Sequence, residues 1–423
     1  MAIIRSFKGL RPTKDLAQKV ASRPYDVLNS EEAREEAIGN EVSFLHVCKS
    51  EIDLPADIDH YAESVYQKAK ENLQKFIAEG ILIRDVENCL YIYQQIMPVQ
   101  EADGTIKRHK QTGIVANSSI EDYFNDIIKK HEYTRPEKEN DRIKHMATLQ
   151  CHPEPVFLTY PDVAEIDVII NSIVNNNLPE YNFTADDGIQ HIFWVVNNIA
   201  HIEALISMFT KFVPYTYIAD GHHRSASSAK VGKKLAENNP NHTGEEEYNY
   251  FLSVLFPASQ LMIMDYNRVI IDLNGHRKEE IINSLSQNFI IEKQNSTYKP
   301  EGLHNFGMYI DNEWYKLTAK ESTYDNNDPI AILDVTILSD YILDPIFNIK
   351  DQRTDKRIDF VGGIRGLGEL EKRVNSGEMQ IAFSLFPVSI QQLINIADSG
   401  NVMPPKSTWF EPKLRSGLVV HTF

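Results

Sequence analysis

The sequence predicts a mixed α/β fold of the α+β type. Three observations carry this. Some stretches place apolar residues at helical spacing, while others alternate or run apolar over five to ten positions. The two patterns follow one another irregularly along the 423 residues, not in the strict strand–helix order of a doubly wound sheet. No repeat or low-complexity segment interrupts them. A chain of this length supports two or three domains with sizeable cores.

Taken in order, "HYAESVYQKAKENLQKFIAEG" reads as a helix. Tyr61, Val65, Ala69, Leu73, Phe76 and Ile77 share one face, and Gly80 is placed to end it. "CLYIYQQIM" alternates like a strand. "SSIEDYFNDIIKKHEYTRP" begins with a serine cap and acids, then carries Tyr123, Ile127 and Ile128 on one face. A helix there is expected to stop near Thr134, because Pro136 follows. "IFWVV" and "PYTYIA" read as buried strands. "NYFLSVLFPASQLMIMDYNRVI" reads as two strands joined by a proline-containing turn. The last third alternates strand and helix, with "RIDFVG", "LGELEKRVNSG", "MQIAFSLFPV" and "IQQLINIADSG" in turn, before the loop "NVMPPKSTWFEPKLRSG". The polar stretch Ala236 to Asn249 is the expected linker. The resulting division is an N-terminal α/β region over 1–119, a core over 120–236 and a C-terminal α/β domain over 237–423.

Charge narrows the function classes. Acidic residues number 60 against 43 basic ones, a net charge of −17. Affinity for nucleic acid comes mostly from phosphate neutralisation, so this field opposes it. A small anion needs only a local pocket. No apolar run approaches the ~18–20 residues of a membrane span. The first residues have no hydrophobic signal region or small-residue cleavage site. Three scattered cysteines, Cys48, Cys89 and Cys151, form no CxxC. A cytoplasmic protein that binds neither nucleic acid nor membrane is expected.

One turn concentrates polar chemistry. "YIADGHHRSASSAK" runs from an apolar strand through Asp220, Gly221, His222, His223 and Arg224 into small residues of helical character. A helix start leaves its first N–H groups unpaired with the dipole's positive end beside them. Gly221 admits a positive φ and a close ligand. Arg224 is expected to fork onto phosphate oxygens, and the two imidazoles and Ser225 add donors. Asp220 would repel a phosphate unless a cation lies between them, and Mg²⁺ is the usual one. A zinc site is disfavoured, because adjacent histidines seldom share a metal and no HExxH or cysteine partner is present. No GxxxxGK[ST] or GxSxG occurs, and the glycines of "DFVGGIRGLGEL" do not spell GxGxxG.

The stretch "IADGHHRSASSA" resembles the DGHHR turn of the ParB/sulfiredoxin-like superfamily, and within it the free serine kinases of the SerK type. Sulfiredoxins carry a cysteine in this turn, where His222 and His223 stand here. "KKHEYTRPEKENDR" holds His131–Glu132, similar to the kinases' His-Glu pair, whose glutamate is the proposed general base. "SGNVMPPKSTWFEPKL" resembles their substrate-contacting Ser-Pro-Lys-Thr-Thr loop, except that Trp409 and Phe410 follow in place of a basic residue and histidine. The likeness covers roughly residues 120–423. The earlier part, with "RPYDVL" (Arg23 to Leu28), is similar to a longer bacterial family of unknown function that carries the same turn.

The resemblance implies a ParB/SerK-like core and a kinase. ATP or ADP would place its phosphates on Gly221, His222, His223, Arg224 and Ser225, with Mg²⁺ on Asp220. Glu132 would take the proton of a small hydroxyl acceptor such as free serine, with Asp220 and His223 also in catalytic roles. His131, Lys406, Ser407 and Thr408 would hold that acceptor. Asp26, Lys138, Asp141 and Arg142 are further candidates for the cleft. The alternative is a non-catalytic nucleotide-binding switch.

Overall fold

The computed structural model describes residues 1–100 and 105–423. Contacts divide the chain into two units, Met1–Leu261 with Pro412–Phe423, and Met262–Glu411. The architecture is mixed α/β, as the irregular pattern predicts.

The first unit is built on a nine-stranded sheet. Its strands are β1 (Ile4–Arg5), β2 (Leu90–Gln100), β3 (Ile106–Ser119), β4 (Ile128–Lys129), β5 (Val156–Tyr160), β6 (Tyr181–Thr184), β7 (Gln190–Val196), β8 (Thr216–Asp220) and β9 (Tyr250–Pro257). They lie in the order β4–β8–β5–β9–β3–β2–β7–β6, with β1 beside β3. The short partners β4–β8 and β5–β9 are parallel, and the long meander through β3, β2 and β7 is antiparallel. All five residues of β5 are buried, as expected of a continuous apolar strand covered on both faces. Helices α3 (Ala164–Asn176) and α4 (Ile199–Phe212) lay Ile166, Ile170, Ile173, Ile202, Leu205 and Phe209 on one face, against Ile92, Ile114, Leu158 and Ile218. Helices α1 (Glu63–Ala78) and α2 (Pro136–Leu149) build a second core with the first ~80 residues, around Phe44, Leu45, Leu73 and Phe76. Helix α5 (His222–Asn238) packs on α2.

The second unit carries a six-stranded antiparallel sheet, in the order Phe289–Gln294, Glu313–Ala319, Asn305–Ile310, Ile381–Leu385, Tyr266–Ile270 and Ile358–Gly362. Val269, Tyr309, Trp314, Val361 and Leu370 form its core. The strands and helices expected over 358–398 all form, as Ile358–Gly362, Gly368–Asn375, Ile381–Leu385 and Ile390–Asp398.

Several expectations are corrected. The helix expected to run from 118 to Thr134 spans only Ile120–Phe124. Asp126 turns left-handed at φ 57°, and Ile128 is buried as β4 pairs with β8. Sheet pairing overrides the helical spacing there. The two strands read in "NYFLSVLFPASQLMIMDYNRVI" do form, β9 in the first unit and Tyr266–Ile270 in the second. The breaks expected at 119/120 and 236/237 fall inside the first unit. β3 pairs with both β1 and β9, so the N-terminal residues share one sheet with the turn at Asp220. No helix among the described residues is long and apolar enough to cross a membrane.

Candidate functional site

The turn at the end of β8 follows from local chemistry. β8 slips register against β5 between Ile218 and Asp220, a bulge that re-aims the last side chain. Gly221 then takes φ 92°, ψ 35°, which an L residue adopts only with strain. It caps α5 without any side-chain hydrogen bond. The first bond of the α5 ladder is Ser225 N–H to Gly221 O at 2.9 Å, so the amides of His222, His223 and Arg224 precede the ladder. Ser225, Ala226, Ser227, Ser228 and Ala229 are all buried beneath, as the run of small residues implies. Ser225 Oγ donates back to Gly221 O at 3.0 Å, so this hydroxyl braces the turn.

Arg224 does not stand open as a phosphate fork. It is 2% exposed. Its Nη1 donates to Pro155 O at 2.5 Å, and its Nη2 lies 3.3 Å from Asp220 Oδ2 and 3.5 Å from Asp26 Oδ2. A buried guanidinium needs acceptors, and here protein groups supply them. Burial opposes its charge, but Asp26, Asp220 and Glu154 more than offset this and raise its pKa. Burial likewise opposes ionisation of Asp220, yet Lys413 at 3.6 Å, Arg224 and His222 hold its carboxyl below the usual range.

The loop after β4 brings His131 and Glu132 to this turn. Pro136 at the first position of α2 ends the extended segment, as the sequence suggests. His131 is 1% exposed and meets the buried His222 ring edge to face, with centroids 4.4 Å apart. Glu132 Oε2 stands 4.0 Å from His222 Nδ1, and its side chain is 38% exposed. Both nitrogens of His131, Nε2 of His222 and Nε of Arg224 are buried without a hydrogen-bond partner. Burial pushes His222 down to about 3 and His131 well below its usual value, so both rings are neutral at pH 7. His223 is shifted down by burial as well, against the pull of Glu132 and Asp26. Its Nε2 accepts the Arg135 amide at 3.0 Å. A peptide N–H only donates, so neutral His223 carries its proton on Nδ1.

Beneath the turn lies a buried charge cluster. Arg142 pairs with Asp141 at 2.6 Å and with Glu154 at 3.8 Å, and stacks 4.0 Å above the Tyr25 ring. Asp141 also accepts from Tyr66 Oη at 2.9 Å. Asp141 and Arg142 therefore form the floor, while Lys138 is exposed on α2. Asp26 does reach the turn. Two working groups escaped the sequence reading. Glu154 hides between Pro153 and Pro155. Lys413 lies near the end of the loop "NVMPPKSTWFEPKLRSG", beyond its Lys406–Thr408 run, and Gln95 Nε2 fixes its carbonyl at 2.8 Å.

Lys406, Ser407 and Thr408 belong to the second unit. There Arg268 Nη2 donates to Lys406 O at 3.1 Å, and Ser407 Oγ donates to Pro404 O at 2.6 Å. Lys406 takes φ 58° with its ammonium 5.6 Å from the Tyr266 ring centre. The loop is thus tied down within its own unit. "DFVGGIRGLGEL" forms a strand end and a short 3₁₀ turn, Gly363–Arg365.

Among the described residues no three His, Cys, Asp or Glu side chains gather as a metal set. The cation that Asp220 requires on charge grounds is supplied by Arg224 and Lys413. Mg²⁺ that keeps water and phosphate ligands needs only one or two carboxylates, and Asp220 would be the one on hand.

The DUF1015 family, described as a protein of unknown function, matches residues 4–336. The chain belongs to that family. No curated protein matches it significantly. Among solved structures it is similar to a conserved hypothetical protein from Pyrococcus furiosus, at 14% identity and a TM-score of 0.35, covering 73% of this chain and 95% of that one. It is similar to free serine kinase in complex with AMP, at 12% identity and 0.34, covering 72% and 91%. It is similar to SbnI with a C-terminal truncation from Staphylococcus aureus, at 10% identity and 0.38, covering 73% and 87%.

Proposed function

We propose that the protein is a nucleotide-dependent phosphotransferase that acts on the hydroxyl of a small molecule such as free serine. One observation carries the reading. The unpartnered imidazole of His131 and the unpartnered Nε2 of His222, both rings neutral, converge with Glu132 on the uncapped start of α5, directly after Asp220. Buried polar atoms without partners are rare in folded proteins and call for a ligand or water. The helix start, with its free amides and dipole, suits phosphate. The motif resemblance to serine kinases points the same way.

In this reading the nucleotide's phosphates rest on the amides of His222, His223 and Arg224 and on the Nδ1–H of His223. Arg224 acts from below, through Asp220 and the backbone. The acceptor oxygen forms a bond to the terminal phosphorus while that phosphorus parts from its bridging oxygen. The bridging oxygen keeps the electron pair on the shortened nucleotide, and the hydroxyl proton passes to Glu132. Positioning and charge neutralisation supply most of the acceleration in such transfers. Mg²⁺, if it accompanies the nucleotide, would neutralise phosphate charge beside Asp220. Calorimetry with ATP and ADP, with and without Mg²⁺, tests binding. Transfer of labelled phosphate to serine and other hydroxy amino acids tests turnover. Binding without transfer to any hydroxyl compound would leave a nucleotide-responsive switch. No binding of either nucleotide removes the proposal.

A further inference from the structure

We propose that the segment Arg23–Leu28 is part of the candidate site and that Asp26 is a positioning residue acting through Arg224. The segment is pinned under the turn at three points. Ser22 and Ser416 exchange backbone hydrogen bonds of 3.1 and 2.9 Å. The Tyr25 amide donates to Glu154 Oε1 at 3.0 Å, and its ring carries the Arg142 guanidinium. Asp26 then places Oδ2 at 3.5 Å from Arg224 Nη2, while 35% of its side chain stays exposed. Glu154 joins the two halves, because it also accepts from Ser416 Oγ at 2.9 Å.

The charges in contact at the turn explain why an acid sits there. Arg224 and Lys413 face Asp220 and Asp26. An uncompensated guanidinium under the helix start would be costly to bury. Asp26 neutralises it in the ligand-free protein and keeps it divided between two carboxylates. The cost is weaker attraction for an anion at the start of α5. A residue that only held the fold would, when removed, loosen the turn and weaken anion binding. Removing Asp26's charge as a positioning group does the reverse. The affinity half of this argument rests on the anion reading given above.

The test uses the full chain with Asp26→Asn and Asp26→Glu, with ADP as the probe. Asp26→Asn should tighten ADP about twofold to fivefold at low salt, because water screens a partly exposed carboxylate. The gain should shrink as salt rises. Asp26→Glu should return affinity to the wild-type value. A second readout needs no ligand. His223 is faced by Glu132, Asp26 and Glu139, which raise its pKa, and by Arg135, which lowers it, after burial has shifted it down. The His223 imidazole midpoint, followed by NMR, should fall in Asp26→Asn and recover in Asp26→Glu. An unmoved His223 midpoint, or ADP binding that weakens or stays the same in Asp26→Asn, overturns the inference. If the wild type binds no ADP, the phosphotransferase reading fails, and the His223 midpoint alone decides the role of Asp26.

Discussion

Arg224→Met would remove the one cation in contact with Pro155 O, Asp220 and Asp26 together. Methionine keeps an unbranched chain at the start of α5 but leaves all three acceptors without this donor. The Pro155 carbonyl loses a short bond and costs about 1–3 kcal/mol if nothing replaces it. Asp220 keeps Lys413 at 3.6 Å but loses its other cation. Asp26 is exposed enough for water to screen it and adds little. Removing one partner of a buried ion pair typically costs about 3–5 kcal/mol, and this site falls within that range. Arg224→Lys keeps the charge but offers one ammonium where a fork reached three acceptors, so a loss of about 1–3 kcal/mol is expected. Trp194 is a core residue of the first unit. Urea unfolding followed by its fluorescence, in a Trp314→Phe, Trp409→Phe background, isolates that unit. The pH dependence has a definite sign. Asp220 is held below its ordinary value in the fold. Its contribution is therefore complete above the unfolded carboxyl value of about 3.9 and is lost as pH falls through the folded one. Arg224→Met reduces that contribution, so its acid unfolding should begin at higher pH. If Arg224→Met stays within about 1 kcal/mol of wild type at pH 7, with the same acid limb, Arg224 is not the buried counter-charge described above.

Other outcomes follow from the same geometry. Glu132→Gln should lower turnover by about 10²–10⁴-fold, the usual worth of a general base, with ADP affinity by calorimetry within about twofold of wild type. Loss of affinity together with turnover would make Glu132 a binding residue instead. His222 has a folded pKa near 3, below the unfolded value of about 6.5. The unfolded chain thus gains a proton first, and stability falls as pH drops from about 6.5 toward 3, by up to ~1.4 kcal/mol per unit for this one ring. His222→Gln should flatten that limb in urea unfolding measured from pH 7 to 4. Gly221→Ala forces φ 92° on a residue whose Cβ would stand 3.1 Å from Arg224 Nε. The left-handed conformation alone costs about 1–2 kcal/mol, and thermal unfolding and ADP titration should both register the displaced turn.

The sequence by itself determined the elements whose reason is local. Gly80 and the helical spacing before it end α1 where expected, since a positive φ suits glycine. The glycine, small residues and apolar lead-in at 216–229 define a strand, a turn and a helix start, and that motif is legible because its chemistry is contiguous. The mixed fold class and the alternation over 358–398 were likewise readable from period alone.

Tertiary structure decided everything that depends on distant partners. The helical face of Tyr123, Ile127 and Ile128 was broken because β8 offered Ile128 a parallel partner. The small residues under the turn were expected, but two of the acceptors that claim the buried Arg224, Asp26 and Pro155 O, come from positions that no spacing links to the turn. Lys413 reaches Asp220 only because residues 412–423 return to the first unit. Charge neutralisation inside a core is settled by which groups meet across the fold, and one-dimensional order does not carry that information.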